Sequence, residues 1–145
     1  MRHKRHVEQL RAEAIAKILI LSSNPEMLIE ETRSDIADFV IKLPNSHARV
    51  AVEVKMTCNL AQEKKRLLAE ITSRFPPQEE RLPVLLVVVE GNEVDGRLAL
   101  LANWTVDGTL EIAKDAKLLP YSVELLQQYF GEVASRYEAL RKLAS

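Results

Sequence analysis

Asp38-Phe-Val-Ile-Lys-Leu43 and Ala48-Arg-Val-Ala-Val-Glu-Val-Lys-Met56, separated by Pro44-Asn-Ser-His47, decide how this chain is read. Both runs are rich in β-branched residues and alternate in polarity, and the four residues between them carry turn chemistry, so they form a hairpin. If Leu43 and Ala48 close the loop, Ala37 meets Val54, Phe39 meets Val52 and Ile41 meets Val50 on a uniformly apolar side. The opposite side then sets Asp38 against Glu53, Val40 against Ala51 and Lys42 against Arg49, with Lys55 two residues beyond Glu53. A slip of one residue would turn the whole apolar set toward water, so burial itself specifies this register.

Working outward, Val7, Leu10, Ala14, Ile18 and Leu21 recur at helical steps, which predicts a leading helix with these residues as its buried stripe, ending near Asn24-Pro25. Met27 to Glu31 reads as a short strand. After the hairpin, Asn59 is placed to cap a helix, with Gln62 in the capping-box position and Leu60, Leu67, Leu68 and Ile71 as its stripe, stopped by Pro76-Pro77. Leu82 to Val89 is apolar at every position, as a central strand covered on both faces requires. Arg97 to Trp104 and Leu110 to Ile112 flank Asp107-Gly108 and predict a hairpin at the sheet's edge. Ser122 caps a last long helix whose stripe, Leu126, Phe130, Val133, Tyr137 and Leu140, suits packing on the sheet or on a second copy.

The expected fold class is therefore α/β: helix, three strands, helix and strand around a mixed central sheet, then a C-terminal hairpin and long helix. A single domain is expected over 1–145, with its core at about 7–90 and the additions at about 97–144. Its 145 residues suffice for a real core, and 47% hydrophobic with 28% charged residues is an ordinary globular composition. The single cysteine, Cys58, rules out an internal disulfide and fits a cytoplasmic setting. No apolar run is long enough to span a membrane, and a net charge of −1 gives the whole molecule no strong pull on phosphates, so nucleic-acid binding would need a local patch.

Two carboxylates opposite each other on a ribbon repel unless something positive lies between them. A divalent cation fits: one Asp, one Glu, waters and a phosphate are ligands that magnesium accepts, and an ammonium such as that of Lys55 could serve the attacking water and the scissile phosphate. At these residues the chain resembles the PD-(D/E)XK nuclease superfamily, the restriction-endonuclease-like fold, whose Asp starts one strand and whose Glu-X-Lys lies on the next, here Asp38 and Glu53-Val54-Lys55. Ala37 stands where the motif has Pro, and the alternative Asp35 falls on the apolar side of the hairpin.

The resemblance extends over roughly residues 7–90 in element order. It implies α/β/α layers, Asp38 and Glu53 as ligands of magnesium or manganese, Lys55 assisting the water, and hydrolysis of a nucleic acid, DNA being the expected substrate. It also implies an occasional acidic residue from the first helix, the place of Glu13, and a polar residue near substrate at Gln62, with Lys64 beside it. A homodimer through the C-terminal helix would pair two such sites. The alternatives are a noncatalytic nuclease-like module that binds nucleic acid or protein, and a structural oligomer built on the last helix.

The other candidates have plainer readings. Lys64, Lys65 and Arg66 suit a solvated helix face, Arg2 to His6 a frayed terminus, and His3 with His6 an exposed pair without a third ligand. His47 reads as a loop residue and Cys58 as a buried thiol. Trp104, Tyr129, Phe130 and Tyr137 read as core or interface. The sequence has no phosphate-binding Gly-rich loop, G-x-S-x-G or HExxH motif.

Overall fold

The computed structural model describes residues 2–31, 38–57, 59, 61–63, 65, 66, 69, 83–91, 96–100, 102–104, 110–112 and 119–144 and, among these, the side chains other than those of 2–6, 96–112, 140, 143 and 144. The hairpin lies at the centre. Phe39–Lys42 and Arg49–Thr57 pair antiparallel, Phe39 on Val52, Val40 on Ala51, Ile41 on Val50 and Lys42 on Arg49, the register that the apolar alternation predicts. The loop closes as expected: the Leu43 N–H donates to the Ala48 carbonyl at 3.0 Å. Within it Asn45 adopts φ of 56°, a left-handed conformation that asparagine tolerates, and Ser46 Oγ accepts the Ala48 N–H at 3.0 Å.

In chain order the strands are β1 (Leu28–Glu31), β2 (Phe39–Lys42), β3 (Arg49–Thr57), β4 (Val84–Glu90), β5 (Gly96–Leu100), β6 (Ala102–Trp104), β7 (Leu110–Ile112) and β8 (Leu119–Pro120). Six of them form a mixed sheet in the order β1-β2-β3-β4-β5-β8, in which β3 and β4 are parallel and the other pairs antiparallel. β4 is central, and Val84 to Val89 are all buried, as its unbroken apolar sequence predicts. The stretch expected as one strand from Arg97 to Trp104 is divided. β5 extends the main sheet while β6 pairs with β7 in a separate two-stranded ribbon. Asp107-Gly108 between β6 and β7 lies outside the described residues, as do Leu60, Leu67, Leu68, Ile71 and Pro76-Pro77.

Helix α1 (Arg2–Ser23) corrects the sequence reading twice. It runs through Arg2 to His6, where a frayed terminus was expected. It also buries a different face: Ala12, Ile15, Ala16, Leu19 and Ile20 pack on the sheet, while Val7, Leu10, Ile18 and Leu21, the predicted stripe, are exposed. The helix is apolar on both sides, so periodicity alone could not choose between them. The last helix, α2 (Val123–Ala144), starts on Ser122, whose Oγ accepts the Leu125 N–H at 3.0 Å. Its stripe lies in its own core, with Leu126, Phe130 and Val133 buried in the same cluster as α1 and Tyr137 against it. Tyr121 Oη donates to the Leu19 carbonyl and Gln127 Nε2 to the Ser23 carbonyl, which lacks an intrahelical donor, so α2 also ties down the end of α1.

The chain is thus α/β, with a mixed sheet whose one face carries Phe39, Ile41, Val50, Val52, Val54, Leu85, Val87 and Val89 against the helices. The alternate positions Val40, Ala51, Val84, Leu86 and Val88 are buried as well. Among the described residues no helix is long and apolar enough to cross a membrane.

Candidate active site

β3 outlasts β2 at one end, and the polar residues gather there. The ladder stops at Phe39 and Val52. Backbone groups of β3 with even numbers face β2, so past this point the N–H and C=O of Val54, a fully buried residue, have no strand partner among the described residues. Side chains satisfy both. Asp38 Oδ2 accepts the Val54 N–H at 2.6 Å, and Gln9 of α1 donates from Nε2 to the Val54 carbonyl at 3.1 Å. Asp38 therefore does not continue the ladder opposite Glu53 as expected. Its own N–H turns to the Val52 carbonyl at 3.0 Å, and its carboxylate caps the strand edge next to Glu53.

Glu53 and Lys55 project from the face opposite the helix cluster, as the alternation predicts. Glu53 is 5% exposed, between Val40, Ala51 and Leu86, and Lys55 Nζ stands 3.5 Å from its Oε1. A carboxylate so far out of water is costly unless paired, and Lys55 compensates it. The remaining position of that face, Thr57, anchors the chain where it leaves the strand. Its hydroxyl donates to Glu63 and accepts the Asn59 N–H at 3.2 Å, and its carbonyl accepts the Gly91 N–H at 2.9 Å. The end of β3, the next helical turn and the end of β4 are thereby joined.

In that turn Asn59 Oδ1 accepts the Gln62 N–H at 3.3 Å, the predicted N-cap. The capping box is not completed, because Thr57 rather than Gln62 takes the Asn59 N–H. Gln62 is exposed near the strand end, as are Lys65 and Arg66, the latter 3.6 Å from Glu63. Lys64, Cys58, Asp35 and Ala37 lie outside the described residues. His47 is exposed in the hairpin loop, while Tyr129 and Phe130 meet at the core with tilted rings, centroids 5.3 Å apart and planes at 49°.

α1 contributes one more carboxyl. Glu13 meets Asp38, and its pKa is raised above the ordinary 4.5, first by burial and then by the charge of Asp38 and a hydrogen bond to it, with Glu31 adding to the rise and Lys17 opposing it. Lys17 is shared, since its ammonium pairs with Glu31 and lies 5.3 Å from the centre of the Phe39 ring. Two adjacent carboxyls resist carrying charge together, which is why the charge of Asp38 raises the Glu13 value. The structure thus brings Glu13 and Asp38 together at the edge, and Glu53 and Lys55 together on the neighbouring face. Gln9 escaped sequence reading, because its role depends on where β2 stops.

The donor chemistry suits a hard cation. Glu13, Asp38 and Glu53 offer oxygen only, the ligand type of magnesium and manganese. Among the described residues no group of three or more acidic, His or Cys side chains is assembled as a ready cage. An ion here would be held by one or two carboxylates and completed by water or phosphate oxygens, which is how magnesium is commonly bound. Comparisons of the chain with protein-family models, with curated proteins and with solved structures found no match.

Proposed function

We propose that this chain is a metal-dependent phosphodiesterase domain of the PD-(D/E)XK kind that acts on DNA, with Asp38 and Glu53 holding magnesium or manganese. The observation that carries the reading is the ion pair of the buried Glu53 with Lys55 on the strand whose Val54 N–H is held by Asp38, the carboxyl that Glu13 meets. Charges in such surroundings are costly to fold, and groups of this kind concentrate at sites of chemistry. The element order supports the same reading. A helix precedes three antiparallel-paired strands, and β4 returns parallel to β3 after a segment that begins as a helix at Asn59. With a helical layer also over the face of Val84, Leu86 and Val88, this becomes the α/β/α layering of restriction-endonuclease-like proteins.

A bound magnesium ion would supply Lewis acidity toward a phosphoryl oxygen and a more acidic water. The chain's own groups supply position and charge. The Val54 N–H holds Asp38 Oδ2 in place, and the low-dielectric wall of Val40, Ala51 and Leu86 strengthens the field of Glu53. Lys55, on the same face two residues on, can donate to a phosphate oxygen or orient a water once Glu53 turns to a cation. Gln62 and Lys64, in the turn joined to Thr57, are then the groups to meet the substrate backbone. Glu13, whose pKa is raised by burial and by the neighbouring Asp38, sets the charge that an incoming ion would meet there.

A second reading is favoured by the Asp38 cap and the Glu53–Lys55 pair themselves, since each has a structural partner without any ion: a nuclease-like shell kept for binding nucleic acid or protein. One experiment separates the two. Magnesium and manganese are titrated into the wild type and Glu53→Gln by calorimetry while nicking of supercoiled plasmid is followed. Metal-dependent nicking lost in the variant supports the phosphodiesterase. A wild type that neither binds these ions nor nicks refutes it and leaves the binding module.

A further inference from the structure

The second apolar face of α1 is a property of the chain that the proposed chemistry does not use. Val7, Leu10, Ile18 and Leu21 are 50%, 52%, 56% and 37% exposed, and Ala14 between them is exposed too. At 100° per residue all five lie within about 40° of a line through Ala14, on the far side of the helix from the buried Ala12 and Ala16. A helix apolar on both sides belongs between two partners. The sheet is one of them, and among the described residues the other side is uncovered.

The stripe itself indicates what covers it. Its steps of three, four, four and three residues read the same in both directions. A two-fold axis through Ala14 would set Val7 on Leu21 of a second copy and Leu10 on Ile18, large on large, with the smallest residue on the axis where two helices come closest. That is the self-complementarity a two-fold interface needs. Charge runs the same way. The first turn of α1 has Arg2, Lys4 and Arg5 and no acid, and its last turn has no basic residue. Antiparallel pairing brings the basic start of one helix to the negative dipole end of the other and to the exposed Glu26 just beyond it. Arg11 and Lys17 lie about 60° to either side of Ala14, so each flanks the stripe on its own side of the pair, and Lys17 is already paired with Glu31.

We infer that α1 is the dimer interface of this protein, two copies pairing antiparallel through Val7, Leu10, Ala14, Ile18 and Leu21. This moves self-association away from α2, whose stripe is buried in its own core over Leu126, Phe130 and Val133. A contact of two helices over this length covers on the order of 1,000 Å² in total, the lower end of specific interfaces, so the dimer is weak and reversible.

The test is sedimentation equilibrium of the full chain over a wide concentration range, with circular dichroism to verify folding. The wild type is expected to show a monomer–dimer equilibrium. Ala14→Glu, which places two carboxylates on the axis, and Ile18→Lys are each expected to raise the dissociation constant by about tenfold or more while leaving the spectrum unchanged. In a Cys58→Ser background, Ala14→Cys is expected to join to itself with a short bis-maleimide and Leu10→Cys alone to join far less. A chain that stays monomeric, or a dimer indifferent to both substitutions, overturns the inference. So does a monomer whose melting temperature falls in Ile18→Lys, because the stripe would then be covered within the chain.

Discussion

Replacing Asp38 by Ala and by Asn separates what this residue does for the fold from what it does for an ion. The Val54 N–H is buried beyond the end of β2, and Asp38 Oδ2 accepts it at 2.6 Å, a charge-assisted bond. Asp38→Ala removes the acceptor and leaves a buried amide unsatisfied, which costs about 1–3 kcal/mol. Against a total stability of about 5–15 kcal/mol, that is a large fraction. For a chain of this size it corresponds to a fall in melting temperature of about 3–10 °C. Asp38→Asn keeps an acceptor oxygen at the same reach and removes a charge that Glu13 opposes, so its melting temperature should stay within about 2 °C of the wild type. Magnesium affinity and plasmid nicking should nevertheless fall in both variants. The assays are thermal denaturation followed by circular dichroism and calorimetric titration with magnesium. An Asp38→Ala protein as stable as the wild type would show that the capping bond carries no weight. An Asp38→Asn protein as unstable as Asp38→Ala would show that the charge holds the strand end.

Three further predictions rest on single groups. The raised pKa of Glu13 means that its protonated form favours the fold, a contribution complete below 4.5 and lost as pH rises through the raised value. Glu13→Gln keeps a donor toward Asp38 and carries no charge, so urea denaturation should show it up to about 1 kcal/mol more stable at pH 7, after allowance for solvent screening, and no more stable at pH 4. Lys55→Ala removes a counter-charge from the buried Glu53 and should cost about 3–5 kcal/mol, whereas adding Glu53→Gln should recover much of the loss, giving a strong coupling in a double-mutant cycle. Tyr129 Oη is buried without a hydrogen-bond partner, and burial pushes its pKa well above the ordinary 10.0, so Tyr129→Phe should be neutral or stabilising by about 1 kcal/mol in the same assay.

The hairpin was legible because its two faces differ in chemistry: Phe39, Ile41, Val50 and Val52 can satisfy burial in one register and in no other. The same logic exposed β4, where every position is apolar, and Ser122, where a cap residue precedes a helical stripe. It failed on α1, whose stripes through Ala12 and through Ala14 are both apolar. The small size of Ala12 and Ala16, which lets the helix approach the sheet closely, is the feature that distinguishes the buried one. The candidate site was half legible. Glu53 and Lys55 share a strand, so their common face came from parity alone. Asp38 lies one residue past the ladder, where parity no longer governs direction, and its bond to the Val54 N–H and the arrival of Glu13 and Gln9 depend on the packing of α1 across the sheet.

The two roles of Asp38 bear on each other. A carboxylate held at 2.6 Å by the Val54 amide is fixed without any ion, so a cation would meet a ligand that is already oriented and would lose little in ordering it. Glu13 supplies the opposing effect, since its nearby carboxyl makes the ion-free site electrostatically unfavourable at neutral pH. An ion at Asp38 and Glu53 would relieve that repulsion, and Glu13→Gln would remove the relief along with the repulsion. Magnesium should therefore raise the melting temperature of the wild type more than that of Glu13→Gln, although the variant starts out as the more stable protein. If magnesium shifts both equally, Glu13 has no part in ion binding. If it shifts neither at millimolar concentration, the carboxyls are a feature of the fold alone, and Asp38 is a strand cap that happens to sit beside a buried ion pair.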